Sequence, residues 1–133
     1  PPMNELFNRD APGAAFHPRL VVDPLDILLE IPRYGAFHAT DLELILRARG
    51  IDSLVVTGIA SNVGPETPLR EAVARDFRVF YLSDGTAAQA LGGLTAEEAQ
   101  RASLATLGAL FAQVLTMDEM TEKLQNAGSV AAG

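Results

Sequence analysis

Apolar positions in this chain fall into short runs separated by stretches of helical period, and the alternation predicts most of the fold. Ile27, Leu28, Leu29 and Ile31, closed by Pro32, read as a buried strand over 27–31. Thr40 and Glu43 have capping-box spacing, so a helix with Leu42, Ile45 and Leu46 on its apolar face is expected, ended by Gly50. The β-branched run over 53–57 predicts a second strand, stopped at Gly58. A helix is expected over 65–76 with Leu69, Ala72 and Val73 inward, although Pro68 removes a backbone donor from its first turn. Residues 78–82 form the third predicted strand, ending at Ser83, Asp84 and Gly85. Thr95 and Glu98 form a second capping-box pair, opening a long helix that carries Ala99, Ala102, Leu107, Leu110 and Phe111. A fourth strand over 113–116 and a last helix over 118–125 complete the pattern.

Strands and helices alternating at this spacing imply parallel strands joined by helical crossovers. The predicted class is α/β, a three-layer α/β/α, Rossmann-like parallel sheet. In open sheets of this kind, sites form beyond the carboxyl ends of the strands. Those ends lie near 31–34, 58–64 and 83–85. The expectation is a single domain over 1–133, with 1–26 mostly loop and 127–133 a frayed tail of small residues.

Composition narrows the function classes. The 133 residues are 48% hydrophobic and 20% charged, with a formal net charge of −7, which reads as globular. Basic residues are scattered singly, which argues against nucleic acid or an anionic membrane as partner. No apolar run approaches the ~20 residues of a membrane span. No secretory-type leader pattern heads the sequence, so cytoplasm is the expected location. There is no cysteine, which removes disulfides, thiolate metal sites and a thiol nucleophile; the only lysine is Lys123 and the only histidines are His17 and His38. No metal-ligand spacing is present, and no cofactor is expected.

Two segments resemble the isochorismatase-like, or cysteine hydrolase, family. Ile31-Pro32-Arg33-Tyr34-Gly35-Ala36-Phe37, followed by Thr40-Asp41-Leu42, resembles the family's Lys-x-Arg-Tyr-(Ser/Gly)-Ala-Phe and its Thr-Asp-Leu helix start. Thr57-Gly58-Ile59-Ala60-Ser61-Asn62-Val63-Gly64-Pro65-Glu66-Thr67 resembles Thr-Gly-Ile-Ala-Thr-Asn-Val-Cys-x-Glu-(Ser/Thr). Arg70-Glu71-Ala72 and Leu82-Ser83-Asp84 continue the match, which spans about 10–120. The resemblance implies an Asp–Lys–Cys catalytic set, in which a thiolate at a helix N-terminus attacks while the carboxylate moves protons. It also implies an oxyanion site at Ile59, Ala60 and Gly64, with a cis Ile59–Ala60 peptide bond. Pocket positions implied alongside are Arg33, Tyr34, Phe37, His38 and Ser61.

The family-equivalent positions are changed: Ile31 stands for the lysine and Gly64 for the cysteine. The Asp-bearing early strand would lie upstream of Pro1, so the resemblance covers the C-terminal part of the fold with its N-terminal strands missing. Isochorismatases that cleave a vinyl ether resemble the cysteine enzymes but carry glycine at position 64, yet they also use the lysine. Ser61 is a poor replacement nucleophile, because no His or Lys is evidently placed to activate it. His38 reads as a turn residue and Arg33 as a carboxylate binder or a surface ion pair. Asp84 reads as an Asx-turn, and Glu66 as a helix-dipole partner.

Three functions follow as expectations. One is a degenerate, pseudoenzyme-like family member kept for binding a small-molecule ligand or for assembly. Another is a hydrolase whose acid lies on a missing N-terminal segment. The third is a piece completed by a partner chain. The expected state is a homo-oligomer or a chain completed in that way, because the family's early strands would stand between the run at 27–31 and the strand at 53–57.

Overall fold

A computed structural model describes residues 8–131. After a 3-10 turn at Pro12–Ala14 come α1 (Leu42–Ala48), β1 (Ser53–Ile59), α2 (Glu66–Val73), β2 (Arg78–Ala87), α3 (Ala96–Leu110), β3 (Gln113–Leu115) and α4 (Met117–Ala131). The three strands form one parallel sheet in the order β1-β2-β3. The described part of the N-terminal stretch carries no strand, as its Pro- and Gly-rich sequence predicts. Residues 1–7 and 132–133, over which a loop and a frayed tail were expected, lie outside the described residues.

β2 is the middle strand, and Val79, Phe80, Tyr81 and Leu82 are all buried in succession. Consecutive strand side chains point to opposite faces, so a continuous buried run means that both faces are covered. Val79 and Tyr81 join Leu69 and Ala72 of α2, Leu107 of α3, Leu46 of α1, Phe37 and Phe77 in the larger core. Phe80 and Leu82 join Met120 of α4 in a smaller one. These are the two helical layers of an α/β/α fold. The second layer is narrow: α4 packs on β2 and β3, while Val55 and Ile59 of β1 remain exposed.

Local chemistry explains most boundaries. Gly50, at φ 67°, takes the left-handed position after α1, and the Ile51 amide reaches back to Leu46 O at 3.0 Å. Pro68 lies in the first turn of α2, where its missing N–H breaks no intrahelical bond. The Thr95–Glu98 capping box is present with both reciprocal bonds, and those bonds hold the Glu98 carboxyl below its ordinary range. A further reciprocal pair opens α4. Thr116 N–H donates to Glu119 Oε2 at 2.7 Å, and Glu119 N–H donates to Thr116 Oγ1 at 3.2 Å.

Several expectations are corrected. The run over 27–31 is not a strand, and Ile27, Leu28 and Ile31 are exposed. An apolar run becomes a strand only where another backbone meets its N–H and C=O groups, and among the described residues β1 pairs with β2 alone. Thr40 and Glu43 do not form a capping box, because Asp41 occupies the N-cap. Thr40 Oγ1 instead donates to Ala36 O at 2.6 Å, and Glu43 accepts from Arg75 Nε at 3.1 Å. β2 runs on past 82 to Ala87, since a register shift after Val56 lets Thr86 and Ala87 pair with Gly58 and Ile59. Asp84 therefore makes no turn at a strand end; its Oδ1 accepts the Met117 amide at 2.7 Å, joining β2 to the start of α4. α4 also continues beyond 125 into the stretch expected to fray.

The core and the caps differ in kind, and that difference is measurable. Leu107 is fully buried, so Leu107→Ala should cost about 2–5 kcal/mol of stability. Thr95→Ala removes one amide partner and should cost about 1 kcal/mol. Urea titration of the two variants against the parent chain checks both values and their order.

Candidate functional site

β1 delivers its carboxyl end to a tight turn that leads directly into α2. Within this turn the Val63 and Gly64 amides both donate to Ala60 O, at 2.9 and 3.0 Å. The Ser61 amide donates across to Ala87 O on β2 at 2.9 Å. Asn62 and Gln89 exchange a pair of bonds, Nδ2 to O and N–H to Oδ1, each 3.2 Å. The turn is thus held chiefly by main-chain groups and anchored to the end of β2.

The Ile59–Ala60 peptide bond is cis, as the resemblance implies. A Cβ placed on Gly64 would lie 3.3 Å from Ile59 O and 3.9 Å from Ala60 N. Ile59, Ala60 and Gly64 are therefore brought together, and a side chain at 64 would sit over the Ile59–Ala60 peptide. Pro65 is the N-cap of α2, so this group also stands at a helix N-terminus.

A buried polar network lies beneath the turn. Ser61 is fully buried and its Oγ donates to Gln100 Oε1. Gln100 Nε2 donates to Thr86 Oγ1 at 3.0 Å and to Ser83 O at 3.3 Å. Glu66 accepts from Arg70 at 2.6 Å and from Ser103 Oγ at 2.8 Å, so it is an ion-pair partner as well as a first-turn acid. Tyr81 is fully buried in the same place, and its hydroxyl has no hydrogen-bond partner among the described residues. Burial pushes its pKa upward, with the negative Glu66 acting in the same direction. The nearby hydroxyls of Thr86, Ser61 and Ser103 ease ionisation without reaching full hydrogen-bond geometry.

The other expected site residues fall into two groups. Ile31, Arg33, Tyr34 and His38 are exposed on the segment before α1, and Arg33 Nη1 donates to Pro32 O at 2.7 Å. Phe37 and Ser61 are buried. Phe37 is core, 5.9 Å from the Phe77 ring, and Ser61 is sealed into the network because the turn closes over it. Gln100 belongs to the network as well, and its helical position carries no sequence signal of its reach to Ser61. A groove of about 390 Å³ lies beside the turn, between Asn62, Glu66, Leu91, Leu94, Ala99 and Ser103. It is lined by none of Ile31, Arg33, Tyr34, His38 or Gly64. No helix among the described residues is long and apolar enough to cross a membrane.

A parallel sheet with helices on both faces, and a strand-to-helix turn that cradles the Cβ position of Gly64, define an α/β protein with its candidate site at the carboxyl edge. The isochorismatase domain model matches residues 2–119, and the chain belongs to that family. A ureidoacrylate amidohydrolase RutB of Methylorubrum extorquens is 42% identical over 87 residues, covering 65% of this chain and 35% of that protein. The same-named protein of Stutzerimonas stutzeri is 37% identical over 112 residues, covering 84% of this chain and 43% of the relative. The chain therefore spans less than half the length of either relative.

Among solved structures, a cysteine hydrolase from Pseudomonas syringae pv. phaseolicola superposes with TM-score 0.84 at 34% identity. The match covers 90% of this chain and 58% of that one. An isochorismatase-like hydrolase from Alkaliphilus metalliredigens gives TM-score 0.76 at 32% identity, over 84% and 59% of the two chains.

Tyr81 gives the site a pH signature. Its folded pKa is raised, so the stability linked to it is fully present below the unfolded value near 10 and is lost as pH rises through the folded pKa. Tyr81→Phe should flatten the alkaline limb of stability against pH. At neutral pH it should change stability by no more than about 1 kcal/mol, since the hydroxyl removed has no bond to lose. Urea midpoints of parent and variant across the alkaline range check this.

Proposed function

We propose that this chain has the fold of an isochorismatase-family hydrolase, is catalytically degenerate by itself, and serves in ligand binding or assembly. The supporting observation is the pair of changed positions. Gly64 leaves no side chain over the Ile59–Ala60 peptide, and Ile31 places an aliphatic residue where the family motif has lysine. The single lysine supports the same reading, because Lys123 Nζ lies 5.4 Å from the centre of the Phe80 ring, on the α4 face of the sheet. Arg33 is exposed and suited to a carboxylate on a small-molecule ligand.

A second reading keeps hydrolysis, either of a vinyl ether or of a C–N bond, with the acid residue supplied by another segment or a partner chain. Glycine at 64 fits the vinyl-ether type, which needs no thiol. The identity to RutB proteins, named for amide hydrolysis, fits the C–N type.

Assays of the chain on ureidoacrylate, simple amides and isochorismate should show no enzymatic turnover, and an Ile31→Lys, Gly64→Cys double variant should remain inactive without the carboxylate. Enzymes commonly exceed a millionfold acceleration, so even about a thousandfold by the unmodified chain would overturn the degenerate reading.

The partner proposal rests on the side of the sheet where, among the described residues, β1 has no neighbouring strand. β1 carries no charged residue or proline over its seven residues, and such an edge is prone to pair with another strand. We place on it either a second copy, a partner chain or a further segment of a longer polypeptide. Light scattering or native mass spectrometry on the purified chain should find association at micromolar concentration. A monomer that unfolds cooperatively would contradict this.

A further inference from the structure

The turn ahead of α1 is held to α2 by one carboxylate, and that contact links the two halves of the candidate site. Glu71 Oε2 accepts the Phe37 amide at 3.1 Å, across 34 residues of sequence. Gly35 is buried directly beneath this carboxylate: a Cβ there would come within 2.6 Å of Glu71 Cδ and 2.7 Å of Oε2. The atoms met are the far end of the flexible Glu71 side chain, so a side chain at 35 would require the carboxylate to shift and would perturb its bond to Phe37. The ring of Phe37 is clamped as well, with the Arg75 guanidinium 5.1 Å from its centre and Phe77 on another side. Arg75 also donates to Glu71 O at 2.9 Å, which adds a bond along the same helical stretch.

Glu71 follows Gly64 by seven residues on an element that begins immediately after the glycine turn. At ~1.5 Å rise per residue that is roughly 10 Å, or two helical turns, of rigid backbone. We infer that Glu71 is a positioning residue: through Phe37 and the space left by Gly35, it fixes the turn bearing Arg33 and Tyr34 at a set distance from the Gly64 turn. α2 thereby acts as the rule between the two turns. The inference rests on reading these turns as one site, but the clamp itself needs no ligand to be tested.

Amide hydrogen exchange at Phe37 reads the clamp directly in the 133-residue chain. Glu71→Ala should lower Phe37 protection by about tenfold, equivalent to ~1.4 kcal/mol, whereas Glu71→Gln retains an acceptor and should restore most of it. Gly35→Ala should lower the same protection although it leaves Glu71 in place. In a denaturation cycle, any cost of Gly35→Ala in the parent should be largely absent in the Glu71→Ala background, because both changes act on one contact. Equal Phe37 protection in the parent, Glu71→Ala and Glu71→Gln, or equal cost of Gly35→Ala in both backgrounds, would overturn the inference. Neither result bears on hydrolysis, so its failure stays distinct from failure of the proposed function.

Discussion

Val79, Phe80, Tyr81 and Leu82 project alternately into two apolar layers, and every other element is arranged around that alternation. α2 and α3 meet β2 through Val79 and Tyr81, while α4 meets it through Phe80 and Leu82. Because β2 is hydrogen-bonded on both sides, its backbone is satisfied and its position is fixed. β1 and β3 take their places by pairing with it. The site turn in turn takes its place from β1. A disturbance in the middle of β2 therefore reaches the site by two routes, through the pairing of Thr86 and Ala87 with β1 and through the Ser61–Gln100–Thr86 bonds underneath.

That polar layer is a compromise between packing and order. Burying Ser61, Ser103 and the Tyr81 hydroxyl carries a desolvation cost, which the hydrogen bonds of Gln100 and Glu66 offset for the two serines. In return, directional bonds set the turn's orientation, where apolar packing alone would allow sliding. Tyr81 is the unreconciled member, buried for its ring and left with a hydroxyl that finds no partner among the described residues.

Much of what depends on short-range pattern is legible in the sequence, although the Thr40–Glu43 spacing suggests a cap that Asp41 displaces. The strands near 53–57, 78–82 and 113–116 are marked by β-branched apolar runs, and α3 by Thr95 with Glu98. The T-x-x-E signature of Thr116 and Glu119 is equally present, but the apolar run before it extends the expected strand through 116 and masks the cap. What pattern does not carry is partnership. The run at 27–31 has the composition of a strand but pairs with no strand among the described residues, so composition alone misleads. The packing of Phe37 against Phe77 and the Arg75 guanidinium is likewise a matter of partners, and the motif around it does not name them. The Glu71 contact is still less visible, since a glutamate in a helix gives no sign that its acceptor role lies 34 residues back. Of the site, the cluster of Ile59, Ala60 and Gly64 is legible through the family resemblance, and the polar layer beneath it is not.

Scaffold and chemistry separate cleanly at the turn, and the reason is physical. The bonds that shape residues 60–66 are mostly main-chain bonds, from Ser61, Val63, Gly64 and Glu66 amides to carbonyl oxygens. None of these bonds uses a side chain at position 64, although a Cβ there would press within 3.3 Å of Ile59 O. Glycine there leaves the 3.3 Å approach to Ile59 O unfilled without disturbing the backbone around it. Ile31 is exposed on the segment before α1 and contributes little to packing among the described residues. The turn and α2 are thus set by main-chain bonds and by the Glu71 contact, and neither depends on a side chain at position 64 or on the exposed side chain of Ile31.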